Sequence, residues 1–93
     1  MKASWNGVVL AQSELTIEIE GNHYFPPDSI DGQFFQPSDT RSHCGWKGDA
    51  SYQHITVDGQ LNEDAAWYYS EPLQAASEIT GYFAFWKGVQ VTP

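Results

Sequence analysis

The chain is short of the parts that several function classes require. Among its 93 residues there is a single cysteine, Cys44. One thiol makes no internal disulfide and no Cys-based zinc site. Cations are scarce as well: four Lys and Arg stand against twelve Asp and Glu, a formal net charge of -8. A surface of that sign repels the phosphates of duplex nucleic acid. No apolar run reaches the ~18–20 residues that cross a bilayer as a helix. The first ten residues carry Lys2 and an Asn6-Gly7 break, unlike a secretory leader. Charged residues are nevertheless only 17% of the chain and hydrophobic ones 41%, too apolar a balance for a disordered segment. The expectation is one soluble domain over residues 1–93 in a reducing, cytoplasmic setting, binding neither duplex nucleic acid nor membrane.

What the chain has in plenty is aromatic residues. Four Trp, five Tyr and five Phe make 15% of it, more than a core this small needs. Some of these rings are therefore expected to line a surface or a pocket. The rest of the pattern is short β-prone runs between turn signals. Asn6-Gly7 separates two such runs, and Asp58-Gly59 does the same after Ser51–Val57. Leu15, Ile17 and Ile19 alternate with Thr16, Glu18 and Glu20, which predicts a half-buried strand. Ala65–Tyr69 reads as another strand, Phe34-Phe35 as a short one ending at Pro37, and Lys87-Gly88 as the turn of a C-terminal hairpin. Ser38 to Gly48 has the composition of a loop. Pro72 to Ile79 is the only helical stretch, with Leu73, Ala76 and Ile79 at three-residue spacing on its buried face. The predicted class is mainly β and antiparallel, either a small barrel or a folded-over sheet, with one short helix. Ile17, Ile19, Ile55, Val57, Phe83 and Phe85 are the expected core.

The segment from Pro37 to Gly48 is the most unusual in composition. It gathers the only Arg, the only Cys, one His and one Lys, with Trp46-Lys47 flanked by Gly45 and Gly48. Glycines there let a backbone come close to a ligand. Ser38-Asp39-Thr40-Arg41 followed by Cys44-Gly45-Trp46-Lys47-Gly48-Asp49-Ala50-Ser51-Tyr52 resembles the signature of the domain-of-unknown-function 427 family. Trp5 to Ala11, Tyr24-Phe25-Pro26, Glu63 to Tyr69 and Gly81 to Phe85 resemble the same family in the same order. Gly45 departs from it, standing where the family usually has Pro. The resemblance implies a β-tent-like sheet similar to that of methionine sulfoxide reductase B, with an aromatic-lined pocket between sheets. It does not carry over the zinc of such relatives, which use two Cys pairs. The family is also labelled a nucleotidyltransferase domain. That chemistry needs a Gly-Ser turn followed by paired aspartates on Mg²⁺. Asp28 and Asp31 lie three apart, and no Gly-Ser dipeptide precedes them.

Three functions follow as expectations. The leading one is a small-molecule binding domain whose site joins Arg41, Cys44, Trp46, Lys47, Tyr52 and Trp67. Arg41 and Lys47 would hold an anionic or carbonyl group, or else pair internally with Asp39, Asp49 or Asp64. Trp46, Trp67 and Trp86 would form its aromatic wall, or else pack in the core, and Trp46 and a Tyr would stack on a flat ring, such as a nucleobase. Trp46 is expected to be exposed and Trp67 to be core. The second is an enzyme in which Cys44 or Asp64 does covalent or acid–base work beside Lys47. The third is an interaction module with exposed aromatics, self-association included. His23, His43 and His54 are spaced like no common metal motif, so neither metal nor cofactor is expected.

Overall fold

Nine strands in three antiparallel sheets make up the fold in the computed structural model, which describes residues 1–93. Strands β1 (Lys2–Trp5) and β2 (Val8–Gln12) form a hairpin through Asn6-Gly7. Both turn residues have positive φ, 51° and 82°, which suits this dipeptide and a two-residue turn. The last strand, β9 (Gln90–Thr92), returns to pair with β1 and completes a three-stranded sheet. Strands β3 (Ile17–Ile19) and β4 (Asn22–Tyr24) form a ribbon around Glu20-Gly21. The largest sheet runs in order β5 (Phe35–Cys44), β6 (Gly48–Val57), β7 (Gln60–Tyr68) and β8 (Phe83–Phe85). Paired backbone bonds between Phe25 and Phe83, at 2.7 and 2.9 Å, tie the ribbon to the edge of this sheet. The sheets pack on one another without closing into a barrel.

The four-stranded sheet carries a core on each face. Ala66 and its cross-strand partner Phe85 belong to a cluster with Ala3, Leu10, Phe25, Ile55 and Val57. The next pair along, Trp67 and Ala84, packs with Tyr24, Tyr69, Ala76 and Ile79 instead. Neighbouring residues of a strand point to opposite faces, so the two clusters lie on opposite sides of the sheet. Of the expected core, Ile55, Val57 and Phe85 are buried, while Ile17, Ile19 and Phe83 are half-buried at its margin.

Four local expectations need correction. Ser38 to Gly48 is not a loop. Ser38–Cys44 continues β5 against β6, and only Gly45, Trp46 and Lys47 turn the chain. Its polar residues are compatible with a strand because β5 is the outer strand and much of it faces water. Pro72–Ile79 is not an α-helix. Gln74–Ile79 forms 3-10 turns kinked at Ala76, where φ is -117°. So short a stretch gains too little to nucleate an α-helix, and three-residue spacing suits the tighter turn. Ala76 and Ile79 are buried there, but Leu73 is exposed. Lys87-Gly88 does turn the chain, yet β8 and β9 enter different sheets rather than pairing. Gly48, at φ 106°, makes room for the chain itself: a Cβ there would meet the Leu73 amide nitrogen at 3.3 Å.

The outer edge of β5 is the longest in the molecule, and long free edges invite pairing with a second chain. It is blunted by Pro37, by a register shift between Pro37 and Arg41, and by Arg41 itself. The Arg41 Nη1 group donates to the carbonyls of Ser38 and Thr40, both at 2.8 Å. Arg41→Ala is therefore expected to fold but to associate with rising concentration more than the wild type does. Sedimentation or light scattering over a concentration series checks this; equal masses for the two proteins would assign the protection to Pro37 and the register shift alone.

Candidate functional site

Lys47 stands at the tip of the β5–β6 hairpin, and its side chain is only 8% exposed. Burying an ammonium is costly unless it is paired. Here Nζ donates to Glu20 Oε1 at 2.5 Å, across from the turn of the β3–β4 ribbon. It also lies 5.4 Å from the ring centre of Trp46 and 5.6 Å from that of Tyr69. Burial alone would lower the Lys47 pKa. The bond to Glu20 and the neighbouring Tyr24 and Tyr69 phenols outweigh it and raise the pKa above the ordinary lysine value. The same bond to Lys47 holds the Glu20 carboxyl below its usual range, and burial pushes the Tyr69 phenol up. The aromatic cage is thus filled by the protein's own cation. The partner is Glu20 rather than Asp39, Asp49 or Asp64, a pairing no sequence spacing signals because it joins residues 27 apart.

Asp64 sits in mid-strand with φ 55°, a left-handed conformation uncommon outside glycine. Two register shifts meet beside it, one in β5 between Pro37 and Arg41 and one between Gln53 and Ile55 of β6. Its carboxylate accepts the Ser38 hydroxyl at 2.5 Å and the Thr40 hydroxyl at 2.7 Å. Its amide donates to His54 Nδ1 at 3.0 Å, and its carbonyl accepts the Trp86 indole N–H at 2.5 Å. The Ser38 bond, with that of Thr40 and the nearby His54, lowers its pKa despite partial burial. At neutral pH this carboxylate is ionised and has both oxygens engaged. It is built to hold three strands together more than to pass a proton.

From this knot an aromatic surface extends over one face of the large sheet. Trp86 lies edge-on to Trp67, with ring centres 5.7 Å apart, and 6.5 Å from Tyr52. Trp67 in turn lies edge-on to Tyr24 at 6.3 Å and donates its indole N–H to the Tyr24 hydroxyl at 3.2 Å. Trp86 is 47% exposed. Lys87 Nζ stands 5.1 Å from its ring centre while donating to the Glu63 carbonyl at 3.1 Å. Tyr52 shares a hydrogen bond with Ser42 at 2.8 Å. Of the expected site residues, Cys44, Tyr52 and Trp67 thus share the cluster on this face, and Trp46 and Lys47 border it. Trp46 is exposed as expected, while Trp67 is half-buried rather than fully core. Trp86 was expected only as a further wall beside Trp46 and Trp67, and neither Lys87 nor His54 was among the expected ligand-binding residues. For Trp86 and Lys87 the available signal was the Trp-Lys-Gly run, which occurs both at residues 46–48 and at 86–88.

Arg41 lies apart from this face. With His43, Asp49 and Glu71 it lines an open groove of about 650 Å³ that has no apolar side chain in its wall. His43 Nδ1 and Asp49 Oδ1 are 2.7 Å apart there, both well exposed. The free thiol of Cys44 is half-buried beside the second core. No three His, Cys, Asp or Glu side chains come close enough to hold a metal ion. No helix is long and apolar enough to cross a membrane.

The knot at Asp64 makes stability depend on acid pH. A group whose pKa is lowered on folding stabilises the fold fully above its unfolded value. That contribution is lost as pH falls through the folded one. Stability should therefore decline below about pH 4 as Asp64 takes up a proton. Asp64→Asn should cost about 1.5–3 kcal/mol at pH 7, the range for hydrogen bonds to a charged group, and should flatten the acid limb. Urea unfolding of both proteins between pH 7 and pH 3 checks this; parallel acid limbs would place the sensitivity in Glu20 instead.

No protein of curated function matches the chain. A family profile described as "Domain of unknown function (DUF427)" matches residues 1–92, from the β1 hairpin through β9, and takes in the Lys47 hairpin, the Asp64 knot and the Trp67–Trp86 surface. The chain belongs to the DUF427 family.

Proposed function

We propose that this protein is a small-molecule binding domain whose site is the aromatic surface of Tyr52, Trp67 and Trp86. The observation that carries the reading is Trp86: a large ring left 47% exposed, fixed by its N–H on Asp64 and flanked by two further rings. A ring fixed in place and open to water offers a stacking face at little entropic cost. Neither Arg41 nor Lys47 serves as its cation, because backbone carbonyls and Glu20 occupy them. Lys87 alone stands at the rim. In a protein of net charge -8, one rim lysine favours a flat, carbonyl-bearing ligand with at most a single negative charge over a polyphosphate. The single free thiol fits a reducing compartment, and a cytoplasmic location is part of this proposal.

Uracil, uridine 5′-monophosphate and benzamide are suitable probes. At least one should quench the tryptophan fluorescence on titration. Trp86→Ala should weaken that probe by about 1–3 kcal/mol, the range for loss of a stacked ring, with urea unfolding measured alongside because the variant also removes the bond to the Asp64 carbonyl. Lys47→Met should leave the affinity unchanged. Binding that survives Trp86→Ala would move the site off this face, and no binding below millimolar would leave the exposed rings to a protein partner.

A further inference from the structure

We infer that His54 is the residue that selects a carbonyl on the ligand, presenting its Nε2–H as a donor beside the aromatic surface. The inference rests on that surface being the binding site. A neutral imidazole carries one N–H and one bare nitrogen, and the bond made by one nitrogen decides the role of the other. In this protein Nδ1 accepts the Asp64 amide at 3.0 Å, so Nδ1 is the bare nitrogen and the proton is on Nε2. That Nε2–H makes no bond within the chain. It is not sealed away either, since Thr56 Oγ1 is the one buried side-chain polar atom without a partner. The side chain is 24% exposed, so the ring is held and its donor reaches solvent.

Its position ties it to the stacking surface. The main chain of Asp64 holds both rings, accepting the Trp86 indole N–H on its carbonyl and giving its amide to His54. His54 is also two residues along β6 from Tyr52, the other flank of Trp86. The left-handed backbone of Asp64 thus fixes a stacking ring and a hydrogen-bond donor from one residue. A ligand that stacks on Trp86 and carries a carbonyl at its edge satisfies both, and a ring without an acceptor leaves the donor to water. A polar group in a site discriminates most strongly against the analogue that fails to pair with it.

The substitution His54→Asn separates the two nitrogens. Its Oδ1 stands in for Nδ1 and still accepts the Asp64 amide, while the Nε2 donor is lost. The full chain would be titrated by NMR with benzamide, a flat ring bearing a carbonyl, and with indole, a flat ring without such an acceptor. In the wild type the His54 ring should show its proton on Nε2, and that signal should move with benzamide and not with indole. His54→Asn should weaken benzamide about tenfold, the loss of roughly one hydrogen bond, and leave indole unchanged. A proton found on Nδ1, an unchanged benzamide affinity, or equal weakening of both probes would each overturn the role of His54 while leaving the aromatic site standing. Failure of both probes to bind the wild type would overturn the site and His54 together. Should His54→Asn fold poorly, the wild-type ring signals alone decide, since the expected response to the two probes differs.

Discussion

One residue in an uncommon backbone conformation organises the large sheet. Asp64 breaks the regular pairing of β6 with β7, so that register runs from Gln53 opposite Ala66 to Ile55 opposite Asn62. A left-handed aspartate in mid-strand is strained, and strain persists only where the surroundings over-determine it. Here they do, through Ser38 and Thr40 of β5, His54 of β6 and Trp86 beyond β8. Extra residues inserted in a strand bend it and re-aim the side chains that follow. The extra residues lie in β7 between Asn62 and Ala66, while β6 keeps its alternation, with Ile55 and Val57 serving the first core and Ala50 and Tyr52 the second. A single sheet can then feed cores on both faces within 93 residues.

Three of the four basic side chains have a structural use. Arg41 covers carbonyls on a free edge, Lys47 fills an aromatic cage opposite Glu20, and Lys87 spans Glu63 and Trp86. The Lys47–Glu20 pair sets a buried ammonium against an exposed carboxylate, and such a pair serves to fix which surfaces meet. The Lys47–Glu20 bond does so for the hairpin tip and the β3–β4 ribbon, two elements otherwise joined through side-chain packing around Tyr24 and Tyr69. The Arg41 and Lys47 charges that would attract an anionic ligand in another protein are here engaged in assembly.

Most of the strand inventory was legible because its signals are local. Asn6-Gly7 and Asp58-Gly59 mark turns that the chain makes, and the mainly β, family-level reading stands. What escaped depends on contacts between distant residues. β5 looked like a loop because an outer strand need not alternate in hydrophobicity. The buried alanines Ala50, Ala65, Ala66, Ala76 and Ala84 gave little hydrophobic pattern, although they let the layers approach closely. In the candidate site, Tyr52 and Trp67 were readable as strand neighbours of the unusual hairpin. The removal of Arg41 to a polar groove and the hold of Asp64 on Trp86 and His54 go with the register at Asp64, and the capture of Lys47 by Glu20 joins two separate elements. No local spacing encodes that register.

The aromatic residues themselves sort by chemistry between the two faces. Phe25, Phe35, Phe83 and Phe85 pair edge-on or tilted on one side, with ring centres 5.6 to 6.1 Å apart, and Phe25 and Phe85 are buried there. Tyr24, Tyr52, Tyr69, Trp67 and Trp86 gather on the other. A phenyl ring has no polar atom to satisfy and suits the dry layer beneath β1 and β2. Tyrosine and tryptophan need a partner for O–H or N–H, and they suit a face that is half wet. Tyr68, stacked on Phe83 with ring centres 4.7 Å apart, is the rim case, half-buried on the phenylalanine side. The choice between Phe and Tyr or Trp thus follows the face at most aromatic positions, with Trp5, half-buried against the phenylalanine cluster, as a second rim case. The Asp64 main chain links this arrangement across β7, with its carbonyl holding the Trp86 indole and its amide holding the His54 ring.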